Sequence, residues 1–401
     1  MSAKAIDSPF SPGKPVSQDL FVGRAAEINR MMTRVAVAER GRLQVSFLSG
    51  ERGIGKSSLA SFIRAMTERE HAMIALHVFL GSVSSLDQLC KAVFDRFLKE
   101  SIQTPWYKKL ADLFGRHVKK VDLFGLGVEF AASQEELAQL VRDFEPALRN
   151  LLDRLKDDKK GLVLILDDID RLVHNPEFAH WLKSLVDGMS ASGKPSPMYI
   201  LLVGTEDFRQ ELIKSQPSLA RLFDVVQIRT WARPETAVFY DRAFSSVGIT
   251  VDDDAMDFLL RFTGGLPVLA HEIGDAVFEA DSDGRIDQDD VAKGLLTAAE
   301  TVGRKYIEAQ VMSAIRSAKY RSILKKIPTD PTETSFTRSE VIKNLTPSEK
   351  QVFDNFLQSM VRLSVVHRDP DNGPGAYVFS SSLYYLYFWT VAESGQEAKN
   401  D

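Results

Sequence analysis

Residues 50–58 read GERGIGKSS, which places Gly50, Gly55, Lys56 and Ser57 in the spacing G-x-x-x-x-G-K-[ST]. Glycines at these positions let backbone N–H groups converge on an anion, and a helix starting at the lysine adds a favourable dipole. Lys56 would reach the β- and γ-phosphates of a nucleotide, and the Ser57 hydroxyl would coordinate Mg²⁺. Gly50, Gly53, Ile54, Gly55, Lys56, Ser57 and Ser58 together form the candidate phosphate loop.

A second set of chemically capable residues closes the run GLVLILDDID at 161–170. Asp167 would bind Mg²⁺ directly or through water, and Asp168 would orient an attacking water. Asp170 reads equally as a third catalytic carboxylate or as the cap of a helix beginning near Arg171. A third run, MYILLVGTED at 198–207, ends in Thr205, Glu206 and Asp207. Thr205 would sense the γ-phosphate or hold the water, or simply mark a strand end before a helix cap.

The elements around these residues are those such chemistry requires. RLQVSFLS (42–49) has strand length, and KSSLASFIRAMTE (56–68) puts Leu59, Phe62 and Ile63 on one helical face. The uninterrupted apolar runs at 162–166 and 199–203 predict strands buried on both faces of a parallel sheet. Ligands bind beyond the carboxyl ends of such strands, where the carboxylates fall. Helical stretches separate the runs, so the class is α/β, a P-loop NTPase parallel sheet with helices on both faces.

The motifs, taken together, resemble the AAA+/STAND branch of P-loop ATPases, especially archaeal-type ATPases and origin-recognition-like initiators. LFVGRAAEI (20–28) resembles the box that precedes the loop and lies against adenine, GERGIGKSS and LILDDID resemble the two nucleotide motifs, and TGGLPVLAHEIG (263–274) resembles the G-x-P motif of a helical lid. The resemblance spans roughly 20–280. It implies ATP or ADP as ligand, with Val22, Gly23 and Arg24 on one side of the base and ribose and Gly265 and Pro267 on the other. It also places Arg221, in PSLARLFDVVQI (217–228), where relatives carry an arginine finger; a plain surface arginine is the alternative. Two departures, Asp168 where many relatives have Glu and Thr205 where they have Asn, imply slow hydrolysis.

The chain has 401 residues, which favours several domains. The expected division is an N-terminal extension 1–19, a core 20–230 with an insertion about 100–146, a small helical lid 231–302, a C-terminal winged-helix domain 303–392 and a tail 393–401. Within the insertion, 119–130 alternates like a hairpin around Gly125–Gly127, and Phe114, Leu123, Phe124 and Phe130 would cover the core or dock a partner. Polar turns are expected at 252–254 and 281–284. Three helical segments (320–327, 336–345 and 346–363) and a hairpin suggest the winged helix, with Thr337 and Thr346 or Ser348 as N-caps. The aromatic stretch 382–392 reads as a helix packing back on it.

Net charge is −5, so any attraction to nucleic acid must be local. Residues 304–326 carry Arg304, Lys305, Arg316, Lys319, Arg321, Lys325 and Lys326 against Glu308. That run is either a phosphate-contacting patch or a solvated helix face. On helix 347–363, Asn355, Gln358 and Arg362 share one polar face, and Arg368 sits at the wing. One cysteine, Cys90, excludes an internal disulfide and a cysteine-rich metal site. No apolar run is long enough to span a membrane and the N-terminus lacks a signal-peptide core, so a cytoplasmic protein with no membrane partner is expected. Two functions fit. One is an ATP-operated, self-associating switch that binds double-stranded DNA through the winged helix. The other is a signalling or defence ATPase whose winged helix contacts separate partner proteins. A metabolic kinase fits poorly.

Overall fold

A computed structural model describes residues 7–14, 20–120, 128–191, 193–305, 317–327, 335–363, 365–369 and 372–388. Leu123, Phe124, the Gly125–Gly127 turn, Glu308, Arg316 and the stretch beyond 388 lie outside them. The chain divides into two compact units, one of residues 24–229 and one of 1–23 with 230–401.

The 24–229 unit runs α1 (Ala25–Glu39), β1 (Gln44–Ser49), α2 (Lys56–Glu70), β2 (Met73–Phe79), α3 (Leu86–Ser101), α4 (Tyr107–Phe114), β3 (Val118–Lys120), β4 (Val128–Phe130), α5 (Gln134–Arg142), α6 (Phe144–Leu155), β5 (Gly161–Asp167), α7 (Asp170–Val173), α8 (Pro176–Ala191), β6 (Met198–Gly204), α9 (Glu206–Ser215) and β7 (Asp224–Gln227). Five strands form one parallel sheet in the order β2-β5-β6-β1-β7, with helices on both sides. The Val, Ile and Leu runs of β5 and β6 are buried at every position, as central strands covered on both faces must be. Parallel pairing brings the carboxyl ends of β1, β5 and β6 to one edge: Ser49 is in register with Gly204, and Leu166 with Leu202.

In the expected insertion, β3 and β4 pair antiparallel with Val118 opposite Phe130. Phe114 and Phe130 lie edge-on or tilted against the buried Phe94 at 5.2 and 5.6 Å, the core-covering arrangement. Lys91 and Glu129 add a 2.7 Å ion pair between α3 and β4.

The second unit contains α10 (Arg233–Ser246), β8 (Thr250–Val251), α11 (Asp253–Thr263), α12 (Pro267–Ala280), β9 (Arg285–Ile286), α13 (Gln288–Val302), α14 (Ala318–Lys326), β10 (Ser335–Thr337), α15 (Arg338–Lys343), α16 (Pro347–Lys350), α17 (Phe353–Arg362), β11 (Val366–Arg368) and β12 (Ala376–Phe379). Residues 252–254, expected as a turn, open α11 instead: Asp252 is its N-cap residue, and Arg285 grips the Asp252 carboxylate with two 2.8 Å bonds. The N-terminal segment is tied down rather than loose. Phe10 is buried among Phe239, Tyr240 and Phe244, Ser8 bonds Asp275 at 2.6 Å, and a Cβ on Gly274 would lie 2.3 Å from the Phe10 ring.

Beyond α14, β10, β12 and β11 form an antiparallel sheet in that order, with α15, α16 and α17 between β10 and β11 in sequence. Thr337 and Thr346 are both N-caps with capping boxes. The continuous helix expected over 346–363 is broken at Gln351–Val352, where Val352 N–H bonds the Glu349 carbonyl in a tight turn. Residues 382–388 are helical and bury Leu383, Tyr385, Leu386, Tyr387 and Phe388. Among the described residues no helix is long and apolar enough to cross a membrane.

Glu349 anchors this region. Its burial alone would raise the carboxyl pKa, but bonds from Lys326 (2.7 Å), Ser322 (2.7 Å) and Thr346 outweigh that and hold it at about 2. An acid depressed on folding contributes its full stability above the unfolded value, about 4.3, and loses it as pH falls toward 2. Chemical denaturation should therefore show about 1–2 kcal/mol lost between pH 5 and pH 2.5 through this residue, discounted for the partly exposed lysine. Glu349→Gln should flatten that part of the profile; an unchanged profile would count against the assignment.

Candidate nucleotide site

The loop after β1 is built around glycines in places where a side chain would be crowded or the backbone strained. A Cβ on Gly50 would meet Ile228 at 2.8 Å and Ile54 at 2.9 Å. Gly53 (φ 76°) and Gly55 (φ 93°) occupy the left-handed region, which costs glycine little. Ile54 is buried and pins the loop to the unit's interior. Gly55 is the N-cap of α2 and brings no side chain, so no side chain caps the first-turn N–H groups. Lys56 folds back over the loop, donating to the carbonyls of Gly50 (3.0 Å) and Glu51 (2.7 Å). Partial burial lowers its pKa, against the raising influence of Asp167, Asp170 and Asp168. Ser57 and Ser58 follow in the same first turn, half-buried.

The acidic segment lies at the same sheet edge. Asp167 is buried, and both of its oxygens are engaged: Oδ2 with His77 Nε2 at 2.9 Å, Oδ1 with the Asp168 N–H at 2.9 Å. The other nitrogen of His77 faces Ser61 Oγ at 3.2 Å, and its ring stacks on Phe79 at 4.3 Å. His77 escaped the reading of the sequence. The available signal was a polar residue in the otherwise apolar strand MIALHVF, since a buried imidazole needs partners.

Asp168 has φ 58°, and Arg24 has φ 65°. They alone among the described non-glycine residues have positive φ, and both are candidate site residues. Burial first, then the charges of Asp167 and Asp170, raise the Asp168 pKa. Asp170 is the first residue of α7, whose N-cap is Ile169, so it does not cap that helix; it pairs with Arg52 of the loop at 3.2 Å. Arg24 is buried and donates to the Ile54 carbonyl at 3.3 Å.

Thr205 occupies the N-cap position of α9 without a capping side-chain bond. The next residue, Glu206, accepts from Ser49 of β1 at 3.2 Å and is held by Arg209. It links the β1 and β6 ends, a role the sequence did not assign to it. Arg221 is exposed at the end of the 3₁₀ turn Pro217–Arg221, before β7 begins, whereas the loop and the acids follow strand ends.

In the other unit Val22 is buried and Gly23 has φ 68°, where a Cβ would lie 2.4 Å from Glu235 Oε1. Gly265 has φ 73°; its carbonyl accepts the Trp231 N–H at 2.8 Å, and a Cβ there would lie 2.2 Å from the Trp231 oxygen. Pro267 is buried in the first turn of α12.

Lysine, uncapped helix start and glycine loop suit an anion. For a cation, no group of three or more His, Cys, Asp or Glu is placed to hold a metal ion among the described residues. A magnesium ion here would depend on Ser57, on phosphate oxygens and on Asp167 through water, a coordination that suits that ion.

The fold is that of a P-loop NTPase. It is similar to the Walker-type ATPase of Pyrococcus abyssi (TM-score 0.58, 15% identity, covering 95% of this chain and 99% of that one). It is also similar to the ORC2 protein of Aeropyrum pernix in ADPNP-ADP complexes (TM-score 0.58, 14% identity, 98% and 97% covered). Residues 20–202 match the family model described as the AAA ATPase domain. No curated protein matches the sequence.

Replacing His77 by Ala would leave the buried Asp167 with one protein partner. A stability loss of about 1–3 kcal/mol is expected in denaturant unfolding. His77→Gln, which can still donate to Asp167, should recover part of it; equal losses would argue that ring packing on Phe79 dominates.

Proposed function

We propose that the protein is an ATP-binding, slowly hydrolysing switch that self-associates with nucleotide bound and acts on double-stranded DNA through a C-terminal winged helix. The observation that carries the nucleotide part is the convergence at one sheet edge of an uncapped helix start, the Lys56 amine and the Asp167, Asp168 and Asp170 carboxylates that act on it. Lys56 would exchange its two loop carbonyls for phosphate oxygens. Ser57 and Asp167 would hold magnesium, which supplies charge neutralisation on the phosphates. Asp168, fixed by its strained backbone, would orient water; a carboxylate with raised affinity for protons suits that role. Arg221, exposed, would act on a neighbouring copy.

The domain scheme of core 20–230, helical lid 231–302 and winged helix 303–392 goes with this reading. A helix, a strand, further helices and two strands closing a three-stranded sheet are the order a winged helix needs, and Asn355, Gln358 and Arg362 are exposed on α17. One observation favours the alternative, a signalling or defence ATPase whose winged helix contacts proteins. Of the basic run, Arg304 pairs with Glu300, Lys305 with Glu272 and Lys326 with Glu349, and on α17 Asp354 holds Arg338. Cations already paired with carboxylates have little charge left to neutralise phosphates, so they displace few of the counterions condensed on a duplex.

Lys56→Ala should abolish retention of ATP in equilibrium dialysis, and Asp168→Asn should keep ATP bound while suppressing phosphate release. An unaltered hydrolysis rate in Asp168→Asn would remove the water-orienting role. Titration of labelled duplex with protein and ATP, ADP or no nucleotide separates the two readings. Three phosphate contacts would weaken binding about 40-fold between 50 and 200 mM salt. Binding that is absent, or insensitive to salt, in every nucleotide state favours the protein-contact reading.

A further inference from the structure

At the amino ends of the sheet strands, opposite the edge that carries the phosphate loop, the 24–229 unit has a cavity of about 800 Å³. Gly161 opens β5, Pro197 precedes β6 and Gly41 precedes β1, and all three line it. Asp167 lies at the far end of β5, roughly 20 Å away at about 3.3 Å per residue. The cavity is therefore separate from the candidate nucleotide site.

Its lining is charged against the character of the whole chain. Arg40, Arg149, Lys156, Lys159, Lys160 and Lys194 face Glu39 and Asp153, although the protein carries a net charge of −5. Glu39 is already engaged, by His71 at 2.9 Å and Lys160 at 3.6 Å. Arg149 is fixed in place by Glu145 and by the carbonyls of Gly188 (3.1 Å) and Met189 (2.8 Å). Arg40, Lys156 and Lys159 form no ion pair among the described residues. Pro146, Pro195 and Pro197 restrict the backbone of its walls. The volume lies within the range of small-molecule sites.

We propose that this cavity binds a small molecule bearing two or more phosphate groups, at a site independent of the phosphate loop. Convergent lysines and a braced arginine supply charge-assisted hydrogen bonds to phosphate oxygens, and two nearby acids leave a surplus of positive charge. The inference does not rest on the function proposed above.

Calorimetric titration of the full chain with inorganic tripolyphosphate, at about 50 and about 300 mM salt, tests it. The wild type should take up two equivalents. Lys56→Ala should keep one, and Lys156→Glu with Lys159→Glu should keep the other while weakening the cavity about tenfold or more. Arg149 is left unchanged because its bonds to Gly188 and Met189 are structural. One equivalent that survives Lys56→Ala and is lost in the double variant would sustain the cavity and defeat the phosphate-loop reading. One equivalent that disappears with Lys56→Ala would overturn the cavity, as would a double variant that still binds two. Uptake of a single-stranded oligonucleotide, abolished in the double variant, without uptake of tripolyphosphate would also overturn it, in favour of a nucleic-acid surface.

Discussion

A carboxylate at the end of a strand buried on both faces is the constraint on which the 24–229 unit turns. Asp167 sits where β5 leaves the sheet interior, and an unpaired charge there would be costly. The neighbouring strand supplies His77, and the next residue turns its own N–H back onto the carboxylate. That return accompanies the positive φ of Asp168, so the backbone strain and the pairing of Asp167 belong to one local arrangement. The parallel sheet then sets Lys56 within the field of the same acids.

The loop opposite follows a different logic. Its side chains are removed where backbone must pass closely, as at Gly50 between Ile54 and Ile228. The donors that remain are backbone N–H groups with no side-chain cap, and Lys56 satisfies itself meanwhile on the carbonyls of the loop. Arg52 closes the gap between loop and acids by pairing with Asp170. The loop is thus held by the chain's own groups.

Electrostatics distinguish the 1–23 and 230–401 unit. Within the run 304–326, Arg304, Lys305 and Lys326 each meet an acid, while Lys319, Arg321 and Lys325 are exposed. The pair at Glu349 sits where the chain leaves α16 for α17. In the 24–229 unit Arg40, Lys156 and Lys159 gather around the cavity at the amino ends of the strands.

The sequence by itself determined the phosphate loop, the parallel sheet and the acid-tipped strand, because each is written in local patterns: fixed glycine spacing, unbroken apolar runs and a carboxylate at a run's end. Thr337 and Thr346 were legible as caps for the same reason. Only the tertiary structure decided that His77 pairs with Asp167, that Glu206 ties β6 to Ser49, that Asp170 serves Arg52 rather than capping α7, and that the helix over 346–363 breaks at Gln351–Val352. These depend on which distant residues strand pairing and packing bring within about 3 Å, and hydrogen bonds and ion pairs act only at that range. Spacing along a chain carries no record of it.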